Sequence, residues 1–204
     1  MPVPCPHFRL LQRRVDELSR KFVDDQVQDE LANPATFQPD LDRLAAYRLL
    51  VHAEIEDFLE SKAKDNIATI ESRMAAGPTW MRQSPELLAL AIGLKRELPQ
   101  DDVLDLTRHT NFVGEVLASA RSAISNNNGV KSQSFVFLSL CAGKTLDEVD
   151  GILSASLNSY GKDRGDVAHK SVTHSTSLQA PSAEVGTART LVSQIAIYFD
   201  VCPS

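Results

Sequence analysis

The longest helical pattern in the chain is built around one stretch in its first third: Tyr47-Arg48-Leu49-Leu50-Val51-His52-Ala53-Glu54-Ile55-Glu56-Asp57-Phe58-Leu59-Glu60. Apolar residues recur at spacings of three and four through this stretch and on both sides of it, over residues 44–74. That period is typical of an α-helix with one buried face. The pattern predicts a helix from about Pro39 or Asp40 to Ala76, where Gly77-Pro78 ends it.

The polar face of this helix is strongly acidic and carries His52, Glu54, Glu56, Asp57 and Glu60. His52 and Glu56 are one turn apart and could pair, but we interpret the face as solvated. A hydrolytic metal site made from His52, Glu54 and Glu56 has no second ligand cluster elsewhere in the chain to complete it. The sequence therefore predicts no metal ion and no cofactor.

Six further helices are predicted from capping residues, from apolar periodicity and from Gly or Pro at their ends. In chain order they cover about 8–32, 84–98, 101–125, 134–142, 145–161 and 182–199. The helix over residues 101–125 is predicted to start at Asp101 or Asp102. The helix over residues 145–161 is predicted to start with a capping box at residues 145–148. No strand ladder or repeat is visible, so the predicted fold class is all-α, as one domain over residues 1–204.

Composition points to a soluble intracellular protein. The chain has 204 residues, of which 43% are hydrophobic and 24% are charged, as in ordinary globular domains. No apolar run approaches the roughly 18 residues of a membrane span, and residues 2–6 lack the apolar core of a signal peptide. The three scattered cysteines (Cys5, Cys141 and Cys202) form no CxxC pair, which is typical of a reducing compartment. We expect a cytoplasmic protein with no membrane contact.

The net charge of −6 argues against broad, non-specific binding of nucleic acids, which requires an excess of Lys and Arg. The charge is uneven, however. From Ser119 to Thr145 the chain carries Arg121, Lys131 and Lys144 and no acidic residue. Such a segment is either a local basic rim that holds a few phosphates or an ordinary solvated surface.

One short stretch concentrates groups that could do chemistry: Lys162-Asp163-Arg164-Gly165-Asp166-Val167-Ala168-His169-Lys170. On a continuous helix Arg164 and His169 would be about 140° apart around the axis, a gap that the long arginine side chain can close along the surface, whereas Asp166 and His169 would share a face. A guanidinium, an imidazole and a carboxylate together can bind phosphate and move protons. We expect the stretch to lie on a turn after a helix that ends at Gly161, or in the first turn of another helix. A solvated, capping turn is the alternative.

Taken together, three blocks resemble the HEPN superfamily, and within it the branch called RiboL-PSP-HEPN. They are residues 47–60, Asn128-Gly129-Val130-Lys131 and residues 157–169, and the resemblance extends from about Phe8 to Cys202. It implies an antiparallel helical bundle that pairs as a homodimer and cleaves RNA without a metal, in one cleft shared by both subunits.

Carried over by position, Arg164 and His169 are the candidate catalytic pair. The residue after the arginine is usually polar (Asn, Asp or His) in this family and here is Gly165, so either Asp166 takes over that part or activity is lowered or lost. Lys131, Lys162 and Lys170 are the residues expected to contact the RNA backbone.

The chemistry agrees with this implication. RNA carries its own nucleophile, the 2′-hydroxyl, so cleavage needs a base, an acid and positive charge on the phosphoryl oxygens. Two chains related by a two-fold axis would supply two histidines and two arginines. We expect an endoribonuclease that acts as a toxin or anti-phage effector, with RNA as substrate and an antitoxin or other neutralising protein as partner. The alternative is a non-catalytic HEPN-type module that binds RNA, a nucleotide or a protein, which the net acidity and Gly165 favour.

Overall fold

The computed structural model of the chain describes residues 2–100, 104–169 and 178–203, with the backbone alone for Pro78 and residues 163–169. Within these ranges the chain forms eight α-helices and one very short pair of strands. The all-α prediction is confirmed. No helix in the described part of the chain is long and apolar enough to span a membrane.

The helices are α1 (Pro6–Phe22), α2 (Asp24–Ala32), α3 (Leu41–Ala76), α4 (Pro85–Gly93), α5 (Thr110–Ser125), α6 (Ser132–Cys141), α7 (Gly151–His169) and α8 (Pro181–Phe199). The strands are β1 (Val3–Pro4) and β2 (Val201–Cys202). Single 3₁₀ turns occur at Pro78–Met81, Leu106–Arg108 and Leu146–Glu148.

The chain divides into two compact units. The first contains Met1–Phe58, Gly129–Lys131 and Asp150–Ser204, and the second contains Leu59–Asn128 and Ser132–Val149. Helix α3 contributes its residues up to Phe58 to the first unit and the remainder to the second. The single domain over residues 1–204 stays a prediction.

The first unit has an aromatic centre where α1, α3 and α8 meet. The Phe58 ring lies edge-on to Phe8, with centroids 6.0 Å apart, and to Phe199, with centroids 5.7 Å apart. All three phenylalanines are on predicted apolar faces. The stripes read from the sequence therefore identify the core of this unit.

The parallel strands β1 and β2 also belong to the first unit, with Val3 opposite Val201 and Pro4 opposite Cys202. Asp200, in the left-handed conformation at φ 50°, ends α8 and turns the chain into β2. The expectation of no strand pairing was wrong, because a pair of two residues is too short to produce an alternating pattern.

In the second unit α4 packs against α5 and α6. The Asn66 side chain of α3 donates hydrogen bonds to the Glu86 carboxylate, at 2.9 Å, and to the Cys141 carbonyl, at 2.9 Å. These bonds connect α3 to both α4 and α6. The short buried helix predicted over residues 134–142 is confirmed as α6.

Two predicted helix boundaries were wrong for local reasons. The first pattern breaks at Val23, which leaves helical geometry, and Asp24 and Asp25 then begin α2, where acidic side chains favour a helix N-terminus.

Helix α4 ends at Gly93, not near Pro99. Lys95 there takes φ 54°, and its neighbour Arg96 donates a backbone hydrogen bond to Ala91, a Schellman-type ending. The predicted start at Asp101 or Asp102 lies outside the described residues, and α5 begins at Thr110.

Candidate functional site

Helix α7 carries the Arg164–His169 stretch, and its start differs from the predicted one. The capping box between Thr145 and Glu148 forms as predicted, but it closes only a single 3₁₀ turn. Asp150 starts α7 instead: its Oδ1 accepts the backbone N–H groups of Ile152, at 2.8 Å, and Leu153, at 2.9 Å. Asp150 thus satisfies two N–H groups of the first helical turn.

The predicted end of this helix at Gly161 was also wrong, since α7 continues through Gly161 to His169. Gly161 serves a different purpose there. A Cβ at this position would lie 2.8 Å from His52 Nε2 and 3.2 Å from the Val130 carbonyl oxygen. Glycine is needed because α7 passes close to α3 and to the Gly129–Lys131 segment, not because the helix stops.

Arg164, Asp166 and His169 all lie on the last turns of α7, so the expected turn or new helix is replaced by one continuous helix. Position 164 falls in helical register with the buried residues Leu153, Leu157 and Tyr160, whereas positions 166 and 169 fall in register with the exposed residues Ala155, Ser159 and Lys162. The arginine and histidine positions are therefore about 140° apart on one helix.

Two of the three predicted RNA-contacting lysines are described, and both are exposed. Lys162 lies on α7 directly before the motif. Lys131 follows Val130, whose carbonyl lies beside Gly161, and the adjacent Gly129 N–H donates to the Glu56 carboxylate. The fold thus brings the Gly129–Lys131 segment to α7 just before the motif begins. Lys170 lies outside the described residues.

A buried ion pair joins α3 to α8. Arg48 Nε donates to Glu184 Oε2 at 3.1 Å, and Arg48 Nη2 donates to the other carboxylate oxygen, so the pairing is bidentate. The two side chains are only 2% and 0% exposed. The Gln179 backbone N–H adds a third donor to this carboxylate, at 2.8 Å. Such multiple hydrogen bonds are what a buried charge pair requires.

Sequence reasoning missed this pair, although a signal for it exists. Arg48 is in register with the apolar residues Leu44 and Val51 of α3, and Glu184 is in register with Ala188 and Leu191 of α8. The apolar face of α3 thus carries one positive charge, and the apolar face of α8 carries one negative charge. Because an unpaired buried charge is costly, this pattern predicts that the two charges pair.

Tyr160 of α7 lies between the ion pair and His52. The Arg48 guanidinium carbon is 5.7 Å from the centre of the Tyr160 ring, and the His52 ring stacks on it with centroids 6.4 Å apart and planes 14° apart. His52 is 1% exposed and its Nδ1 lies 3.9 Å from Glu56, so the prediction of a solvated histidine was wrong. Burial raises the pKa of the Tyr160 phenol, which stays protonated.

An open cleft of about 570 Å³ runs between α7 and α8. Its lining combines the buried Arg48, Tyr160 and Leu191 with uncharged polar or small residues: Ser156, Ser159, Gln179, Ala183, Gly186, Thr187, Thr190 and Gln194. The Tyr160 hydroxyl and Gln194 Oε1 are buried without a hydrogen-bond partner in the described part of the chain. Since Arg48 is held by Glu184, this cleft suits uncharged polar groups.

The three acidic-face residues considered for a metal do not form a site. Glu54 accepts a hydrogen bond from Arg14 Nε at 3.0 Å, while Glu56 lies beside His52 and Gly129. Among the residues that the structure describes, no group of three or more His, Cys, Asp or Glu side chains could hold a metal ion.

Comparisons of the chain with protein families, with curated proteins and with solved structures find no match.

Proposed function

We propose that this protein is a homodimeric, metal-independent endoribonuclease of the HEPN type, with Arg164, Asp166 and His169 of two chains in one cleft. Its products would be a 2′,3′-cyclic phosphate and a free 5′-hydroxyl. In this proposal the enzyme acts in the cytoplasm as a toxin or anti-phage effector that a neutralising protein restrains.

The observation that carries the proposal is the register of the motif along α7. Because positions 164 and 169 are about 140° apart on a single helix, one chain directs both groups to the same phosphate only if the long arginine side chain reaches around the helix surface. Two antiparallel copies of α7 related by a two-fold axis can do so, with the arginine of one chain facing the histidine of the other. The register thus favours a composite site.

The buried contacts around α7 support the proposal as well. The ion pair between Arg48 and Glu184 joins α3 to α8, and Tyr160, in the middle of α7, packs against Arg48. These contacts hold the middle of α7 in place. A rigid helix keeps reacting groups within the small tolerances that catalysis requires. Lys131 and Lys162 are exposed beside the start of the motif, where they could contact the phosphates that flank the cleaved bond.

In the proposed reaction, the neutral His169 of one chain removes the proton of the 2′-hydroxyl. The 2′-oxygen then attacks phosphorus, and the bond from phosphorus to the 5′-oxygen breaks. The protonated His169 of the other chain gives its proton to the departing 5′-oxygen. The guanidinium of Arg164 compensates the charge that develops on the phosphoryl oxygens, and Asp166, three residues before His169, would orient the imidazole.

The direct test is to incubate the purified protein with total RNA in EDTA. We expect cleavage with cyclic-phosphate ends. Because each group contributes to the transition state, Arg164→Ala or His169→Ala should lower the rate by about 10²–10⁴-fold. Intact RNA with the parent protein, or a rate unchanged in both variants, would rule the proposal out.

The shared site has its own test, in which the two inactive homodimers are mixed. A heterodimer of Arg164→Ala and His169→Ala chains retains one arginine and one histidine in total, whereas each homodimer lacks both copies of one group. We expect partial recovery of cleavage after subunit exchange, well below the parent rate. A fully active monomer by sedimentation and kinetics would contradict a site made by two chains.

A non-catalytic binding module is the second candidate, and the cleft between α7 and α8 favours it. Its uncharged polar lining and the Tyr160 hydroxyl suit a ligand that needs hydrogen bonds more than charge. The EDTA experiment separates the two candidates, because RNA bound tightly but left intact supports the module.

A further inference from the structure

A groove beside α1 gathers four arginines in a protein whose net charge is −6. It has a volume of about 530 Å³, and its charged lining residues are Arg9, Arg13, Asp16, Arg20, Asp24 and Arg189. Three of the arginines come from α1 and the fourth from α8. All lining residues belong to the first compact unit.

The pattern along α1 explains why these arginines form one wall. Arg9, Arg13 and Arg20 are separated by four and seven residues, so they lie on one face of the helix and extend over about 16 Å of its length. All three are exposed, as is Arg189 opposite them. A smaller cleft of about 230 Å³ adjoins the groove and shares Gln12, Asp16 and Arg189 with it. The surface is thus an open groove, not a closed pocket.

The type of cation points to phosphate. All four basic lining residues are arginines, whose planar guanidinium binds two phosphate oxygens at once, while lysine provides only a point charge. Among the described residues, the ion-pair partner of Arg13 is Glu17, at a long distance of 3.7 Å between nitrogen and oxygen, and the Arg13 side chain is 66% exposed. Such a contact on the surface contributes little and is readily exchanged for a stronger partner.

The acidic lining residues decide between two polyanions. Asp24 accepts a hydrogen bond from the Ser19 hydroxyl at 2.6 Å and keeps its negative charge, while the more exposed Asp16 lies between Arg13 and Arg20 along α1. Asp16 repels the carboxylates of an acidic peptide and the phosphates of RNA alike, so its charge does not separate the two polyanions. Single-stranded RNA, however, carries a 2′-hydroxyl donor for Asp16 beside each phosphate that the arginines can bind, whereas an acidic side chain has no donor of its own.

We propose that the groove lined by Arg9, Arg13, Arg20 and Arg189 binds the sugar–phosphate backbone of single-stranded RNA. The inference rests on the proposed function, because it supplies a path along which the substrate is held outside the cleavage site. Four phosphate contacts predict a slope of log affinity against log salt of about −2.8. Affinity should then fall about 50-fold between about 50 and 200 mM salt.

The test measures fluorescence anisotropy of a labelled single-stranded RNA of about 12 nucleotides, with all chains carrying His169→Ala so that the probe is not cleaved. The double variant R20Q/R189Q removes one cation from each wall. We expect weaker binding and a salt slope less steep by about 1.4, since each lost phosphate contact contributes about 0.7. Weaker binding of DNA with the same sequence is also expected, because it lacks the 2′-hydroxyl.

The matched control is K21Q/K95Q, which removes the same charge from two exposed positions outside the groove. It should leave the slope within about 0.3 of the parent value, as expected if no phosphate contact is lost. Equal effects of the two double variants, or no effect of R20Q/R189Q, would overturn the groove assignment. So would an affinity for DNA equal to that for RNA, or binding of polyglutamate in preference to RNA.

Cleavage is measured separately on chains with native His169. If the parent cleaves RNA and R20Q/R189Q leaves RNA binding unchanged, the groove is rejected as a binding site but the endoribonuclease proposal is retained. Groove-dependent binding by a parent that leaves RNA intact supports the groove and rejects the endoribonuclease.

Discussion

Replacing Gly161 by alanine has two opposite effects on the free energy of unfolding, and their sizes can be compared. In a helix interior, alanine is more favourable than glycine by about 1 kcal/mol. At Gly161 the new Cβ would lie 2.8 Å from His52 Nε2 and 3.2 Å from the Val130 carbonyl oxygen. Overpacking of this kind typically costs about 1–3 kcal/mol. Because His52 is buried and the other neighbour is backbone, we expect a net loss of up to about 2 kcal/mol.

Gly186→Ala is the matched control, because Gly186 also lies inside a helix of the first unit and a Cβ added there would have no neighbouring atom within 4 Å. This variant should gain about 1 kcal/mol, which raises the melting temperature of a chain this size by about 2–4 °C. Urea and thermal unfolding followed by circular dichroism would measure both. An increase in stability for Gly161→Ala equal to that for Gly186→Ala would refute the close approach of α7 to His52 and Val130.

Two further predictions concern buried groups. Glu184→Gln should destabilise the protein by about 3–5 kcal/mol in urea unfolding, because it leaves the Arg48 charge buried without its counter-charge. The double variant Arg48→Met/Glu184→Leu should lower the free energy of unfolding far less. Equal losses in the two variants would contradict a buried ion pair. Burial raises the pKa of the Cys141 thiol to about 12, so above pH 9 the unfolded chain ionises this thiol first and stability falls as pH rises. Between about pH 9 and 10 we expect Cys141→Ala to remove about 1 kcal/mol per pH unit of that slope, and identical slopes in parent and variant would contradict the raised pKa.

Periodicity and capping residues predicted most of the helices, because an amphipathic helix places an apolar residue on its buried face at every third or fourth position. The long α3 and the short α6 were predicted almost to their ends. The prediction failed where a residue has more than one use. A glycine such as Gly161 is typical of a helix end, but a glycine also permits close approach of another segment within a helix. Only the neighbouring residues His52 and Val130 show which of these two roles Gly161 has.

The sequence by itself determined the fold class and the presence of Arg164, Asp166 and His169 within six residues of one another. Only the tertiary structure decided that these residues continue α7 and that Arg48 and Glu184, 136 residues apart, form one buried pair. It also brought Arg189 to the arginines of α1. The physical reason is that local patterns are set by neighbours within one or two helical turns, whereas a contact between distant residues depends on which faces pack together.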